Sequence, residues 1–355
     1  MSLIPDRKTP PAVADYGLLQ LSEPEVTILP SGIRVVAFDD PRSEDVAQIL
    51  VMAEGSRAES ADPSLAQIAM AQIVEGGAGL SGREIADRFD TAGAWLRPIV
   101  FPHRRAMLLS TLGHQIGSTL PLLLSLIADP SYPEGEFSKY CSRMAASLDI
   151  SMSRNPWLAG REIDRITMGE NHPLGRRSTP GSILNLTPAD ALSFHRSRLA
   201  TSQITVYAAG RLGSGRLDKM LGMLDDFGNG LPRIEPAQPE IVAARPISAD
   251  GFESFLRGEP RNQASVQVAI PLPDDSDPDF QTLIYTVKAL GGYFGSRLMT
   301  RCREEKGYTY GISASVMRQP EGNFVRISTE TDRRHVDAIL TEIREAIGSM
   351  ATVPV

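Results

Sequence analysis

The chain is poor in cysteine, lysine, net positive charge and long apolar runs. It has two cysteines, Cys141 and Cys302, in 355 residues. That excludes a disulfide-framed secreted scaffold, and both read as reduced thiols. Lysine occurs five times (8, 139, 219, 288 and 306), so 31 of the 36 basic residues are arginine. Genomic base composition produces such a bias, and forked carboxylate recognition also suits it. The formal net charge is −7 and the sequence pI about 5.4. An acidic chain lacks the basic footprint of a nucleic-acid binder. The longest uncharged run, residues 106–128, contains Gly113, His114, Gln115, Gly117 and Pro121. It is a poor membrane span and reads as a strand followed by a buried helix. Residues 1–8 hold no apolar segment of the kind that starts a secretory signal, so a cytoplasmic protein without membrane partners is expected.

What is present is ordinary globular material: 42% hydrophobic and 22% charged residues, with enough length for two domains. A Pro-rich arm covers residues 1–24. Two strands flank Pro30-Ser31-Gly32, and Val46 begins a third. Asp62 with Pro63 predicts a helix start, and Gly76-Gly77 its stop. Ser81 with Glu84, and Thr187 with Asp190, read as capping boxes. Pro and Gly breakers crowd residues 228–262, which read as a linker between a first domain (25–227) and a second (263–355). In the second domain a strand from Ala264, a helix capped at Asp277-Pro278, a helix over 296–306, a hairpin turning at Pro320-Glu321-Gly322 and a last helix from His335 are predicted. The two halves echo each other. Gly291-Gly292 and Ser296 fall in the second pattern where Gly76-Gly77 and Ser81 fall in the first. The fold class expected is α+β: two homologous α/β-sandwich domains, each a mainly antiparallel sheet covered by helices.

That pattern carries a resemblance. Leu290-Gly291-Gly292-Tyr293-Phe294-Gly295-Ser296-Arg297-Leu298, followed by Arg303-Glu304-Glu305-Lys306-Gly307-Tyr308-Thr309-Tyr310, is similar to the pitrilysin/insulinase metallopeptidase family. Leu29-Pro30-Ser31-Gly32-Ile33-Arg34, Ala53-Glu54-Gly55-Ser56-Arg57, Asn171-His172-Pro173-Leu174-Gly175 and Leu186-Thr187-Pro188-Ala189-Asp190 extend the likeness from about residue 26 to 350. Mitochondrial processing peptidase and the bacterial two-subunit peptidases belong to this family. Its members usually continue past the point where this sequence stops, so the second domain is expected to be truncated.

The resemblance implies zinc held by an inverted H-x-x-E-H helix and a more distant Glu. In the matching helix Gln67 and Ala71 stand at the His positions and Met70 at the general base; residues 145–148 offer no carboxylate. No metal is therefore expected in this chain, and zinc is expected in a partner. The five histidines (103, 114, 172, 195 and 335) include no pair at ligand spacing.

The resemblance also carries over an Arg and a Tyr that hydrogen-bond the scissile carbonyl in the partner's active site: here Arg303 and Tyr310. Donors aimed at a developing oxyanion lower its barrier, which is the physical case for the pair. Tyr308 shares an expected strand face with Tyr310. Gly291, Gly292, Tyr293 and Phe294 are candidates for lining a peptide chamber, a plain helix-to-helix turn being the other reading. The function expected is a non-catalytic partner subunit of a heterodimeric zinc endopeptidase, acting on peptides with a zinc-bearing homologous subunit. The alternative is a peptide-binding structural or accessory protein without proteolysis.

Overall fold

The computed structural model describes residues 23–170, 172–232, 242–244, 254, 256 and 262–353. Strands β1 (Glu25–Ile28) and β2 (Arg34–Asp39) are joined by a turn in which Gly32 takes φ +96°. β3 (Val46–Glu54) leads to α1 (Leu65–Gln72), a 3-10 turn and the short strands β4 (Gly76–Gly77) and β5 (Leu80–Ser81). Then come α2 (Gly82–Thr91), β6 (Trp95–Val100), β7 (Arg104–Leu112) and α3 (Ile116–Ala128). A helical stretch follows: α4 (Glu134–Met152), α5 (Asn155–Met168), α6 (Pro180–Leu184) and α7 (Pro188–Ser197). β8 (Ile204–Gly210) and α8 (Gly213–Gly230) close this half. The second half holds β9 (Gln263–Leu272), α9 (Phe280–Gly291), α10 (Arg297–Met299), β10 (Thr309–Met317), β11 (Asn323–Asp332) and α11 (Val336–Ser349).

The largest sheet has six strands in the order β1-β2-β8-β3-β7-β6, antiparallel except for β2 with β8. Alternate residues of β3 point inward (Ala47, Ile49, Val51 and Ala53), beside Met107 and Leu109 of β7. Helix residues Ile68, Leu120, Leu123 and Leu224 cover them. Full burial of one such side chain is worth about 1.5–3 kcal/mol. A three-stranded antiparallel sheet, β10-β11-β9, packs Ile312, Val325 and Ile327 against Leu290, Leu298, Ile339 and Ile343. β9, β11 and β10 follow the same chain order across their sheet as β3, β7 and β6 do across theirs. The mixed α/β character and largely antiparallel, helix-covered sheets agree with the expected class.

The halves meet on a small apolar cluster of Ala58, Met168, Leu174 and Phe324. α5 lies along β9, where Asn155 Nδ2 donates to the Gln263 carbonyl at 2.9 Å. Arg326 of β11 pairs with Asp164 of α5. Among the described residues no helix is long and apolar enough to cross a membrane.

Both capping boxes form: Ser81 with Glu84, and Thr187 with Asp190. α1 starts later than Asp62-Pro63 predicts, at Leu65. The Asp62 carboxylate still serves the helix entrance. It accepts from Ser64 N (2.8 Å), Ser178 Oγ (2.6 Å) and Ser182 Oγ (2.6 Å), tying the 178–182 segment to the helix entrance. α8 runs to Gly230, past the predicted linker start at 228. Most of that linker, residues 1–22 of the arm, and Asn171 lie outside the described residues.

Candidate functional site

The strongest sequence candidates converge at one end of the three-stranded sheet. The helix predicted over 296–306 forms as α10 and then widens into a π-helical turn over Thr300–Glu305. Such turns are frequent at functional sites. Arg301 anchors the turn, reaching Glu342 (2.9 Å) and Glu345 (2.5 Å) on α11. Arg297 donates to Ser349 Oγ at 2.9 Å, on the same helix. Arg303 goes the other way. Its guanidinium lies over the Phe294 ring at 4.7 Å and over the Tyr310 ring at 4.8 Å. Stacking between two rings holds a guanidinium plane while leaving its N–H edge available for hydrogen bonds. Glu304 Oε1 approaches Arg303 Nε at 3.4 Å.

Tyr310 owes its orientation to a break in the ladder. β10 pairs with β11 at Thr309↔Thr331 and resumes at Ile312↔Thr329, so Tyr310 and Gly311 together oppose Glu330. A bulge of this kind re-aims a side chain. Thr309 pins it: the hydroxyl lies 2.6 Å from the Glu330 carbonyl and accepts from Gly311 N at 3.1 Å, with Thr329 Oγ1 at 2.9 Å. Tyr310 is 87% exposed as a result. Tyr308 is half-buried and packs edge-on against His335 with centroids 4.8 Å apart. The two tyrosines therefore do not share a strand face, because β10 begins at Thr309 and bulges at once.

The glycine pair divides. Gly291 is buried, and a Cβ there would meet Ala314 Cβ and N at 2.7 Å. Its bareness lets α9 approach β10. Gly292, Tyr293, Phe294 and Gly295 are exposed beside Arg303, with Phe294 at 64%. Thr309 and Gly311, which shape the site, were missed by the sequence reading. The Thr309-Tyr310-Gly311 run was the available signal.

The zinc-helix positions have another character. Met70 is buried, while Gln67 and Ala71 are half-buried on α1. α4 packs on α1, with Ala145 buried and Met144 and Leu148 packed against the core. An amide, a thioether and methyl groups do not fit a zinc ion. Among the described residues no group of His, Cys, Asp and Glu is arranged to hold a metal.

Met70 instead lines a small cavity of about 20 Å³ with Arg105 and His195. Arg105 is buried and donates to the carbonyls of Glu54 (2.7 Å), Gly55 (2.5 Å) and Arg198 (2.9 Å). Burial lowers its pKa to about 10. His195 Nε2 donates to the Ile127 carbonyl at 2.7 Å. Its burial, with Arg105 nearby, lowers the imidazole to about 4. This polar knot sits beneath α1 where a catalytic helix would need open ligands.

Residues 185–354 match the family model of the peptidase M16 inactive domain. Proteins named uncharacterized zinc protease in Mycobacterium bovis and Mycobacterium tuberculosis are 25% identical over 82% of this chain and 67% of their own length. A crystal structure of a peptidase M16 inactive domain from Pseudomonas fluorescens superposes with a TM-score of 0.83 at 21% identity, covering 94% of this chain and 81% of that one. A protease from Helicobacter pylori gives 0.76 at 16% identity, covering 93% and 80%.

Proposed function

Starting from a chain that belongs to the M16, or pitrilysin/insulinase, peptidase family, we propose that it is a non-catalytic partner subunit of a heterodimeric zinc endopeptidase. The observation that carries this reading is the stacked pair of half-buried Arg303 and exposed Tyr310, in a molecule whose α1 offers no metal ligands. A zinc-bearing homologous subunit would supply the ion and the activated water. Arg303 and Tyr310 would donate hydrogen bonds to the scissile carbonyl of a bound peptide and to the oxyanion formed from it. The donors are fixed before substrate arrives, by stacking and by the bulge, so little reorganisation accompanies the reaction. Gly292, Tyr293 and Phe294 would line the peptide path beside them. The shared strand order of the two sheets supports reading the halves as a repeat, with the first half forming chamber wall. We place the complex in the cytoplasm.

The test is reconstitution with the zinc-bearing homologue and a peptide-hydrolysis assay. Arg303→Ala and Tyr310→Phe should each lower kcat about 10²-fold or more, the usual cost of losing one oxyanion donor. If both variants hydrolyse peptide at the parent rate, the donor role is wrong. If the assembled pair binds peptide and never cleaves it, a binding-only accessory role replaces the proposal.

A further inference from the structure

The tip of the β10–β11 hairpin carries a buried carboxylate, which is unusual for a turn. Gly322 N closes the turn on the Gln319 carbonyl at 3.0 Å, and Glu321 beside it is only 6% exposed. Hairpin tips ordinarily keep charges in water. Here the tip reaches across to the first half, and Glu321 Oε1 bonds His103 Nε2. On the other side of the ring, His103 Nδ1 lies 2.9 Å from Glu59 Oε1. His103 precedes β7, and its carbonyl accepts from Gly55 N at 2.7 Å. Glu59 Oε2 accepts from Ser56 N at 2.7 Å. The imidazole is thus fixed to the first half, and Glu321 comes from the second.

We propose that Glu59, His103 and Glu321 form a pH-sensitive latch that fastens the second half to the first when His103 is protonated and releases it when the proton leaves. The argument is one of donor count. An imidazolium has an N–H on each nitrogen and satisfies both carboxylates; a neutral ring has one N–H and turns a lone pair toward the other carboxylate. Among the described residues Glu321 Oε2 is buried without a hydrogen-bond partner, and His103 is what compensates this side chain. A buried carboxylate stripped of its partner is costly.

Among the described residues the surroundings leave the ring with these two partners. Arg104 is engaged by Glu54, Arg105 by three backbone carbonyls, and Arg318 of the hairpin by Asp275. Arg176 donates to the Ala58 and Ser60 carbonyls, and His172 Nε2 to the Val242 carbonyl. Arg57 shares the Glu59 loop. Burial pulls the His103 pKa down, but bonding and attraction to Glu59 and Glu321 outweigh it and leave the value above the usual 6.5. A raised value means that the contribution is complete below pH 6.5 and fades as pH climbs through the folded-state pKa. The latch lies at the opposite end of β10 from Tyr310.

The inference holds whatever partner the chain has, and the full chain alone tests it. Amide hydrogen exchange of residues 319–324 is followed from pH 6 to 9, corrected for intrinsic base catalysis. Opening should rise by up to about tenfold per pH unit between pH 6.5 and the folded-state pKa of His103, and level off above it. Glu321→Gln should flatten that rise, because an amide can accept from the imidazolium or donate to the neutral ring. The imidazole titration, read by NMR on the parent protein, should show a midpoint above 6.5. Exchange that does not vary with pH, a parent-like rise in Glu321→Gln, or a midpoint below 6.5 each overturns the latch.

Discussion

The surroundings of α1 and the Arg303–Tyr310 platform invite comparison because each occupies a place where chemistry is expected. In the first, side chains are buried, and the polar groups of Arg105 and His195 are turned inward to backbone carbonyls. In the second, Arg303 rests on exposed rings and the bulge projects Tyr310 into solvent. The lesson is that one region is absorbed into the packing while the other holds its side chains outside it, bearing little load. Mutations should therefore separate: stability changes in the first region, function in the second.

Arginine substitutions give the largest contrast. Arg105→Ala removes a buried cation from three carbonyls and leaves them without a donor, so unfolding in urea should show a loss of about 4 kcal/mol. Arg303→Ala gives up exposed stacking and should stay within about 1 kcal/mol of the parent. Equal losses at the two positions would break the comparison.

Next in size is an acid dependence seated in the first region. The His195 pKa is about 4 in the folded chain because of burial, against 6.5 for an ordinary histidine. Between those values the unfolded chain binds a proton that the folded chain refuses, so stability falls as pH drops from 6.5 toward 4. The shift corresponds to about 3 kcal/mol. The difference in urea stability between the parent and His195→Phe should shift by that amount between pH 7 and pH 4. A constant difference would mean that the ring is already charged or wet. His103 carries the opposite sign, losing its contribution as pH rises.

The two regions were also unequally legible in the sequence. The start of α2 was readable to the residue because Ser81 and Glu84 make their capping bonds within one turn. Arg303 and Tyr310 were found from a family-like string; their shared stacking is visible only in three dimensions. The π-helical turn depends on Arg301 reaching Glu342 and Glu345, and the bulge on Thr309 meeting Thr329 across the ladder. Neither leaves a local signature. Arg105, His195 and the Ile127 carbonyl come together from three distant stretches, so periodicity gave no warning of a polar knot beneath α1.

The smallest effect places the boundary between packing and exposure inside the second region itself. Gly291 and Gly311 both flank the platform, and nothing in their spelling distinguishes them. A Cβ on Gly291 would press on Ala314 Cβ and backbone N at 2.7 Å, whereas one on Gly311 meets nothing within 4 Å. Neither glycine needs a left-handed backbone, since neither is among the glycines with positive φ. Gly291→Ala must push α9 off β10, an overpacking cost of about 1–3 kcal/mol. The better helix propensity of alanine offsets part of this, by up to about 1 kcal/mol. A net loss of about 1 kcal/mol in urea unfolding is expected for Gly291→Ala, and a change within about 0.5 kcal/mol for Gly311→Ala. Should the order reverse, the close approach of α9 to β10 would not be what requires glycine at 291, and a role for that residue in contact with peptide would regain its standing.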